Sequence, residues 1–137
     1  MTAYALAVAG YSGTPLAKKL GIKPGHQLAL VAAPDGWAVP DLPDGVTNGP
    51  PNGADVVVAF HRNAAELAAG IEALGQAVYP DGAVWIAWPR KAGGHISDIT
   101  ENGIRDVALP LGLVDTKVAA LDDDWSGLKV VWRRERR

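Results

Sequence analysis

Residues 54–88, ADVVVAFHRNAAELAAGIEALGQAVYPDGAVWIAW, decide the fold because they place one helix between two apolar strands. The three consecutive valines within Ala54–Phe60 predict a strand buried on both faces, as in a parallel sheet. Apolar residues recur at helical spacing over about residues 64–78, and Pro80-Asp81-Gly82 turns the chain into a further apolar strand, Ala83–Trp88. The stretch therefore predicts a βαβ unit with a right-handed crossover.

Upstream of this unit, the pattern predicts one more buried strand and a short helix. The apolar run within Gln27–Ala33 predicts the first strand of the sheet. Thr14 is suited to cap a short helix before it, and Gly21 is suited to end that helix. Residues 34–53 are rich in proline and glycine, so we expect a loop there with a weak strand at Val46.

Downstream of the unit, the chain predicts a helix followed by a hairpin. Asp98 or Thr100 is suited to cap this helix, and Gly112 is suited to end it. Leu113–Leu121 and Leu128–Arg133 then predict two strands that pair in the antiparallel sense. The predicted fold class is α/β, with a mostly parallel sheet, helices on its faces and a C-terminal antiparallel β-hairpin.

Composition predicts one ordinary globular domain over residues 1–137. Hydrophobic residues make up 48% and charged residues 20%, which is enough to bury a core without disulfides. Residues 1–13 form an N-terminal segment, and residues 133–137 form a basic tail. Because cysteine is absent and no apolar run is long enough to span a membrane, we expect a cytoplasmic protein without a membrane partner.

The charge distribution favours no nucleic-acid partner. The net charge is −2, whereas the last five residues contain four arginines and one glutamate and so carry +3. A short run of arginines at a chain end is typical of a solvated terminus, and no aromatic residues are interleaved with it for base stacking. The sequence therefore predicts no nucleic-acid binding.

Several catalytic and metal-binding patterns are missing from the sequence. His26, His61 and His95 lie far apart without the spacing of a metal site, and consecutive side chains of Asp122-Asp123-Asp124 diverge. No Walker loop is present, and the glycines around Ser12 do not have the spacing of a nucleophile elbow. We therefore predict no catalytic residue, no metal and no cofactor.

The order of elements resembles a trimmed class I methyltransferase, a Rossmann-like fold. Two segments carry this resemblance: Leu20-Gly21-Ile22-Lys23-Pro24-Gly25 before the first strand, and Tyr79-Pro80-Asp81-Gly82 before the third. The resemblance implies a cofactor at a glycine-rich turn after the first strand. Here that turn reads Pro34-Asp35-Gly36-Trp37, in which Pro34 removes an amide donor, and no clear second strand offers a carboxylate for ribose hydroxyls.

A second resemblance is to a family of small bacterial proteins classed as a domain of unknown function. It rests on three segments: the run Gly10–Lys23, which contains Gly-Tyr-Ser-Gly-Thr-Pro-Leu, the run Trp85–Lys91 and the run Trp125–Leu128. The chain differs from the form expected of that family at Ala92-Gly93-Gly94-His95. The resemblance implies membership of a bacterial family and brings no activity with it.

Polar and aromatic residues follow the predicted strands, where ligands bind in open α/β sheets. The segment after each strand, the hairpin turn and the free amides before the first helix should converge at this edge. Basic side chains there would form a cationic rim for a phosphate or carboxylate, with two tryptophans as an apolar wall. The predicted ligand-binding residues are Tyr11, Ser12, Thr14, His61, Arg62, Trp88, Arg90, Lys91, Trp125 and Ser126.

Three functions remain open at this stage. The leading hypothesis is a non-catalytic module that binds a protein partner or a small anionic ligand at this edge. The second is an enzyme, a divergent transferase with an atypical cofactor site. The third is a structural partner that self-associates through the sheet edge or Trp37. A purely structural alternative for the site has Arg90 and Lys91 pairing with the acidic run 122–124 and the tryptophans filling the core.

Overall fold

A computed structural model of the protein describes residues 13–137. Within these residues, the chain forms three α-helices and six strands. The helices are α1 (Leu16–Leu20), α2 (Ala64–Val78) and α3 (Glu101–Ala108). The strands are β1 (Gln27–Val31), β2 (Thr47–Asn48), β3 (Val56–Phe60), β4 (Ala83–Pro89), β5 (Leu113–Ala120) and β6 (Trp125–Trp132).

The strands form one six-stranded sheet in the order β2-β1-β3-β4-β6-β5. The first four are parallel to one another, while β6 runs antiparallel to both β4 and β5. The predicted mostly parallel sheet with a C-terminal antiparallel hairpin is confirmed. No helix among the described residues is long and apolar enough to cross a membrane.

The sheet has a hydrophobic core on each face. On one face, α2 and α3 cover alternate residues of the central strands, such as Val57 and Ile86. On the other face, α1 and the loop after β1 pack against Val58 and Trp85. Trp85 is fully buried there, and its indole N–H donates a 3.0 Å hydrogen bond to the carbonyl of Leu20 at the end of α1. The helices thus lie on both faces, as predicted, but only the five-residue α1 lies on the second face.

Side chains from neighbouring loops cap α2 and α3. Asn63 accepts a 2.9 Å hydrogen bond from the amide of Glu66 and so caps α2. Thr100 caps α3 in the same way. The other predicted cap, Asp98, instead accepts a 2.7 Å hydrogen bond from the amide of Ala64, so it ties the loop before α3 to the start of α2.

Some predicted boundaries differ from the structure. Pro15 rather than Thr14 is the N-cap of α1, and no side chain caps that end, whereas Gly21 does end the helix in a left-handed conformation. β1 ends at Val31 rather than at residue 33, because Ala32 adopts a positive φ of 57° that interrupts the extended backbone. The weak strand expected at Val46 is the two-residue β2 immediately after it.

The hairpin is tighter than its sequence indicates. β6 begins at Trp125 rather than at Leu128, so the turn is shorter than predicted. Gly127 was expected in the turn but lies inside the strand, where a Cβ would come within 3.0 Å of Leu121 and Trp85. The close packing of Leu121 and Trp85 explains the glycine at this position. In the sequence, the same glycine resembles a turn residue.

Candidate functional site

The predicted convergence of loops at the carboxyl ends of the parallel strands is present in the structure. The indole N–H of Trp37, after β1, donates a 2.8 Å hydrogen bond to the Asp122 carboxylate in the β5–β6 turn. The amide of Arg90, after β4, donates a 2.8 Å hydrogen bond to the carbonyl of Asp124 in the same turn. Arg62, after β3, lies beside Trp125 at the start of β6. All four segments therefore meet at one edge of the sheet.

Three aromatic rings pack in a row across this edge. The rings of Trp37 and Phe60 are 4.8 Å apart between centroids, and those of Phe60 and Trp125 are 4.9 Å apart, both edge to face. We call Trp37, Phe60 and Trp125 the aromatic row. It lies at the ends of β1 and β3, where the strand order reverses and where open α/β sheets bind their ligands. Open α/β sheets have a ligand-binding crevice at this point. On this face of the sheet, the three side chains of the aromatic row fill it.

The turn after β1 has a left-handed residue but no glycine at that position. Ala32 has a φ of 57°, a conformation that favours glycine, and Pro34 supplies no amide. The neighbouring β2 consists of Thr47 and Asn48, both exposed, and therefore carries no carboxylate. Within this turn and β2, neither the donors for a pyrophosphate nor the carboxylate acceptor for a ribose hydroxyl is present in the form typical of nucleotide sites.

One cationic side chain contacts the aromatic row, and two others follow β4 at the same edge of the sheet. The Arg62 guanidinium carbon is 5.6 Å from the centroid of the Trp125 ring, a cation–π contact that orients the side chain. Arg90 is half-buried and Lys91 is exposed. Within residues 13–137, none of these three side chains forms an ion pair or a hydrogen bond to another side chain. We call Arg62, Arg90 and Lys91 the strand-end rim.

Two of the three carboxylates in the acidic turn are bound by other groups, and none of the three forms an ion pair with the rim. One oxygen of Asp122 accepts 2.8 Å hydrogen bonds from the amides of Asp124 and Trp125, while the other binds Trp37. Asp124 pairs with His95 at 2.9 Å. The alternative in which Arg90 and Lys91 pair with the acidic turn is therefore not what the structure contains, although Trp125 does fill the core, at 7% exposed.

The two tryptophans predicted to form one wall lie on opposite faces of the sheet. Trp88 is half-buried beside the core under α2 and α3, and Ser126 lies opposite it on β6. Trp125 belongs to the core on the α1 face. The sheet separates them, so only Trp125 lines the aromatic row.

His61 lies inside the protein rather than in the rim. Its side chain is 7% exposed, and its Nδ1 has no hydrogen-bond partner among the described residues. Burial lowers the pKa of His61, against smaller opposing effects of Glu66 and of the Ala59 carbonyl. Since the ordinary value is 6.5, the imidazole is neutral at pH 7 and adds no charge to the rim.

The predicted N-terminal part of the site has no described connection to the rim. Tyr11 and Ser12 lie outside the described residues. Thr14 is exposed, and none of the side-chain hydrogen bonds in residues 13–137 joins it to the strand ends. Thr14 is thus not brought together with Arg62, Arg90 and Lys91.

The sequence alone did not identify Phe60 or His95 as parts of this edge, and it did not predict that Asp122 would bind Trp37. Phe60 is the last residue of an apolar strand, and that position on the α1 face could have predicted its place under the loop after β1. The acidic run 122–124 offered a weak signal, since an aspartate at the start of a tight turn commonly accepts backbone amides.

Solved structures similar to this one include methyltransferases and other Rossmann-like proteins. The fold is that of the class I methyltransferases. A fibrillarin pre-rRNA processing protein of Methanococcus jannaschii is similar over 87% of this chain and 69% of its own, with a TM-score of 0.56 and 12% identity. A DhpI–SAH complex is similar over 88% of this chain and 83% of its own, with a TM-score of 0.54 and 13% identity.

A third similar structure is a protein of the NADB-Rossmann superfamily from Streptococcus agalactiae. It covers 90% of this chain and 70% of its own, with a TM-score of 0.54 and 10% identity. No protein-family model and no curated protein matches the sequence. At these identities the likeness shows the fold alone, and the expected membership of a small bacterial family stays a prediction.

Proposed function

We propose that this protein is a non-catalytic α/β module that binds an anionic group, carried by a protein partner or a small ligand, at the strand-end rim. The observation that carries the proposal is the aromatic row. Trp37 fills the crevice of a fold that elsewhere binds cofactors there, while three cations at the same edge of the sheet form no ion pair within residues 13–137. The edge is thus arranged for surface binding of an anion.

The chemistry of the rim supports an anionic ligand. Guanidinium groups bind carboxylates and phosphates through two parallel hydrogen bonds, and a guanidinium stacked on an indole keeps its N–H donors free at its edge. Arg62 has this arrangement over Trp125. The neighbouring Ile96 is 97% exposed, which suits contact with the apolar part of a partner.

A divergent transferase is the second candidate, and the fold is the observation in its favour. The DhpI structure contains bound SAH at a similar fold. In this chain, such a cofactor at the β1–β3 crevice would require Trp37 to leave Phe60 and give up its hydrogen bond to Asp122. We therefore favour the binding module, and we infer that it acts in a bacterial cytoplasm, as the lack of cysteine supports.

The proposal is tested by titrating the ¹⁵N-labelled protein with inorganic phosphate, a hexaglutamate peptide, S-adenosylmethionine and S-adenosylhomocysteine. We expect phosphate or the peptide to shift the amides of Arg62, Arg90 and Lys91. The Arg62→Gln variant should then bind the same probe about tenfold more weakly, since it loses a charge-assisted hydrogen bond. Arg134→Gln removes the same charge from the exposed tail and should bind like the wild type.

Two outcomes would overturn the proposal. Saturable binding of S-adenosylmethionine or S-adenosylhomocysteine to the wild type, with shifts around Trp37, would favour the transferase. Equal binding of the anionic probes by the Arg62→Gln and Arg134→Gln variants would remove the rim from the site.

A further inference from the structure

Four lysines gather on the α1 face of the sheet, away from the strand-end rim. Lys117 of β5 lies directly opposite Lys129 of β6 in the hairpin register, and Lys19 and Lys23 come from the end of α1 and the segment after it. The Lys117 ammonium donates a 3.2 Å hydrogen bond to the Lys19 carbonyl. The Lys129 ammonium would lie 3.5 Å from a Cβ placed at Gly21. We call these four residues the lysine cluster.

Like charges placed opposite each other on adjacent strands destabilise a sheet, so an anion bound between them would stabilise this arrangement. Burial and the charge of Lys117 lower the pKa of Lys19, and burial with the charges of Lys117 and Lys23 lowers the pKa of Lys129. No carboxylate of residues 13–137 forms an ion pair with Lys23, Lys117 or Lys129. The repulsion is therefore not relieved by the described part of the chain.

Backbone carbonyls accept hydrogen bonds from only two of the four lysines in the cluster. Lys19 donates to the Ala120 carbonyl at 3.2 Å, and Lys117 donates to the carbonyl of Lys19. The ammonium groups of Lys23 and Lys129 have no hydrogen-bond acceptor among the described residues. Two cations with free donors thus lie beside two whose positions are fixed.

An apolar groove of about 330 Å³ borders the cluster at Gly21 and Lys23. Its walls include Pro15, Ala17, Ile22 and Pro43. Lys18 lines it as well as Lys23, and Asp41 offsets one of these two charges. The groove suits the uncharged part of a ligand whose anionic group lies on the lysines.

We propose that the lysine cluster binds the phosphate group of a small phosphate monoester, with the organic part of the ligand in the groove. A phosphate monoester carries about −1.5 to −2 charges at pH 7 and three acceptor oxygens, which matches several ammonium donors better than a single carboxylate does. Lysine binds phosphate as a point charge from variable directions, as this arrangement requires. The site is separate from the strand-end rim, and its test does not depend on the rim.

The test compares thermal unfolding of the full chain in sodium chloride, inorganic phosphate and phenyl phosphate at one ionic strength. Constant ionic strength removes simple screening of the lysines from the comparison. We expect inorganic phosphate to raise the Tm by about 5 °C at tenfold excess over its Kd, and phenyl phosphate to raise it further. The Lys129→Gln variant should lose most of both increases.

The Tm of the Lys129→Gln variant in chloride shows whether a lost phosphate response comes from lost binding or from unfolding. Because Lys129→Gln removes one of two opposed charges, its Tm in chloride should equal or exceed that of the protein that retains Lys129. All proteins in this comparison carry Arg62→Gln, which weakens phosphate binding at the strand-end rim, and Arg134→Gln added to them should leave the phosphate response unchanged. An unchanged response when Lys129→Gln is added would overturn the site, and equal effects of phosphate and phenyl phosphate would overturn the ester assignment.

Discussion

The indole N–H of Trp37 donates a 2.8 Å hydrogen bond to the carboxylate of Asp122, 85 residues away in the chain. The bond joins the loop after the first strand to the turn of the final hairpin. It also holds the Trp37 ring against Phe60. The hydrogen bond thus joins two loops at the strand ends and keeps the indole ring in the crevice.

Asp122 should be more important for stability than its partner. Asp122→Ala removes the acceptor of three hydrogen bonds and is expected to cost about 2–3 kcal/mol, whereas Trp37→Phe keeps an aromatic ring and costs about 1 kcal/mol. Urea unfolding measures both. Asp123→Ala, whose side chain is exposed, should change stability by less than about 0.5 kcal/mol. Equal losses in the two aspartate variants would contradict the assigned role of Asp122.

Gly93 and Gly94 should respond differently to alanine. A Cβ at Gly93 would collide with the Asp123 carbonyl, so Gly93→Ala should separate the loop after β4 from the hairpin turn and cost about 1–3 kcal/mol. Gly94 has a φ of 89° with open space around it, so Gly94→Ala adds only backbone strain, about 1 kcal/mol. Amide chemical shifts of residues 122–124 should move strongly in the first variant alone. Similar shifts in both would argue against this close contact.

His61 should make the protein sensitive to acid. The buried imidazole has a lowered pKa, so the unfolded chain binds a proton more readily than the folded protein does. Its contribution to stability is therefore complete above pH 6.5 and decreases as the pH falls below that value, by up to about 1.4 kcal/mol per pH unit.

The comparison uses unfolding free energies at pH 7.5 and 5.5. A His61→Leu variant should lose less stability than the wild type over this interval, whereas His26→Gln should behave like the wild type. A steeper acid response in His61→Leu than in the wild type would reverse the predicted sign.

Ala32 should tolerate glycine better than its neighbour does. At a φ of 57°, Ala32→Gly relieves left-handed strain and is expected to leave stability unchanged or to raise it by about 1 kcal/mol. Ala33→Gly has no such strain to relieve and should lose about 0.5–1 kcal/mol. Thermal unfolding measures the stability of both variants. A clear loss of stability in Ala32→Gly would mean that the positive φ of Ala32 causes no strain.

Local patterns were sufficient to predict most of the fold. The bounds of α2 depend on helical spacing that needs no distant partner, and the apolar runs of β3 and β4 indicate strands buried on both faces. Boundaries failed where backbone conformation or packing overrode local preference, as at Ala32 and Gly127.

The sequence predicted where the candidate site lies but not which of the predicted side chains form it. Topology brings the strand ends together, so Arg62, Arg90 and Lys91 could be placed at one edge from the sequence. Strand register then put Trp88 and Trp125 on opposite faces, since a side chain's face depends on its exact position in the pairing. Burial removed His61 from the rim for the same reason, because exposure is a property of the whole fold.

The sequence by itself determined the order of elements, the parallel sheet and the missing glycine-rich turn, because these follow from periodicity and from backbone chemistry at single positions. Only the tertiary structure decided what replaces that turn. Trp37, Phe60 and Trp125 form the aromatic row through contacts between residues far apart in the chain. Likewise, four lysines that look unrelated in sequence lie on one face because the hairpin register and α1 bring them there.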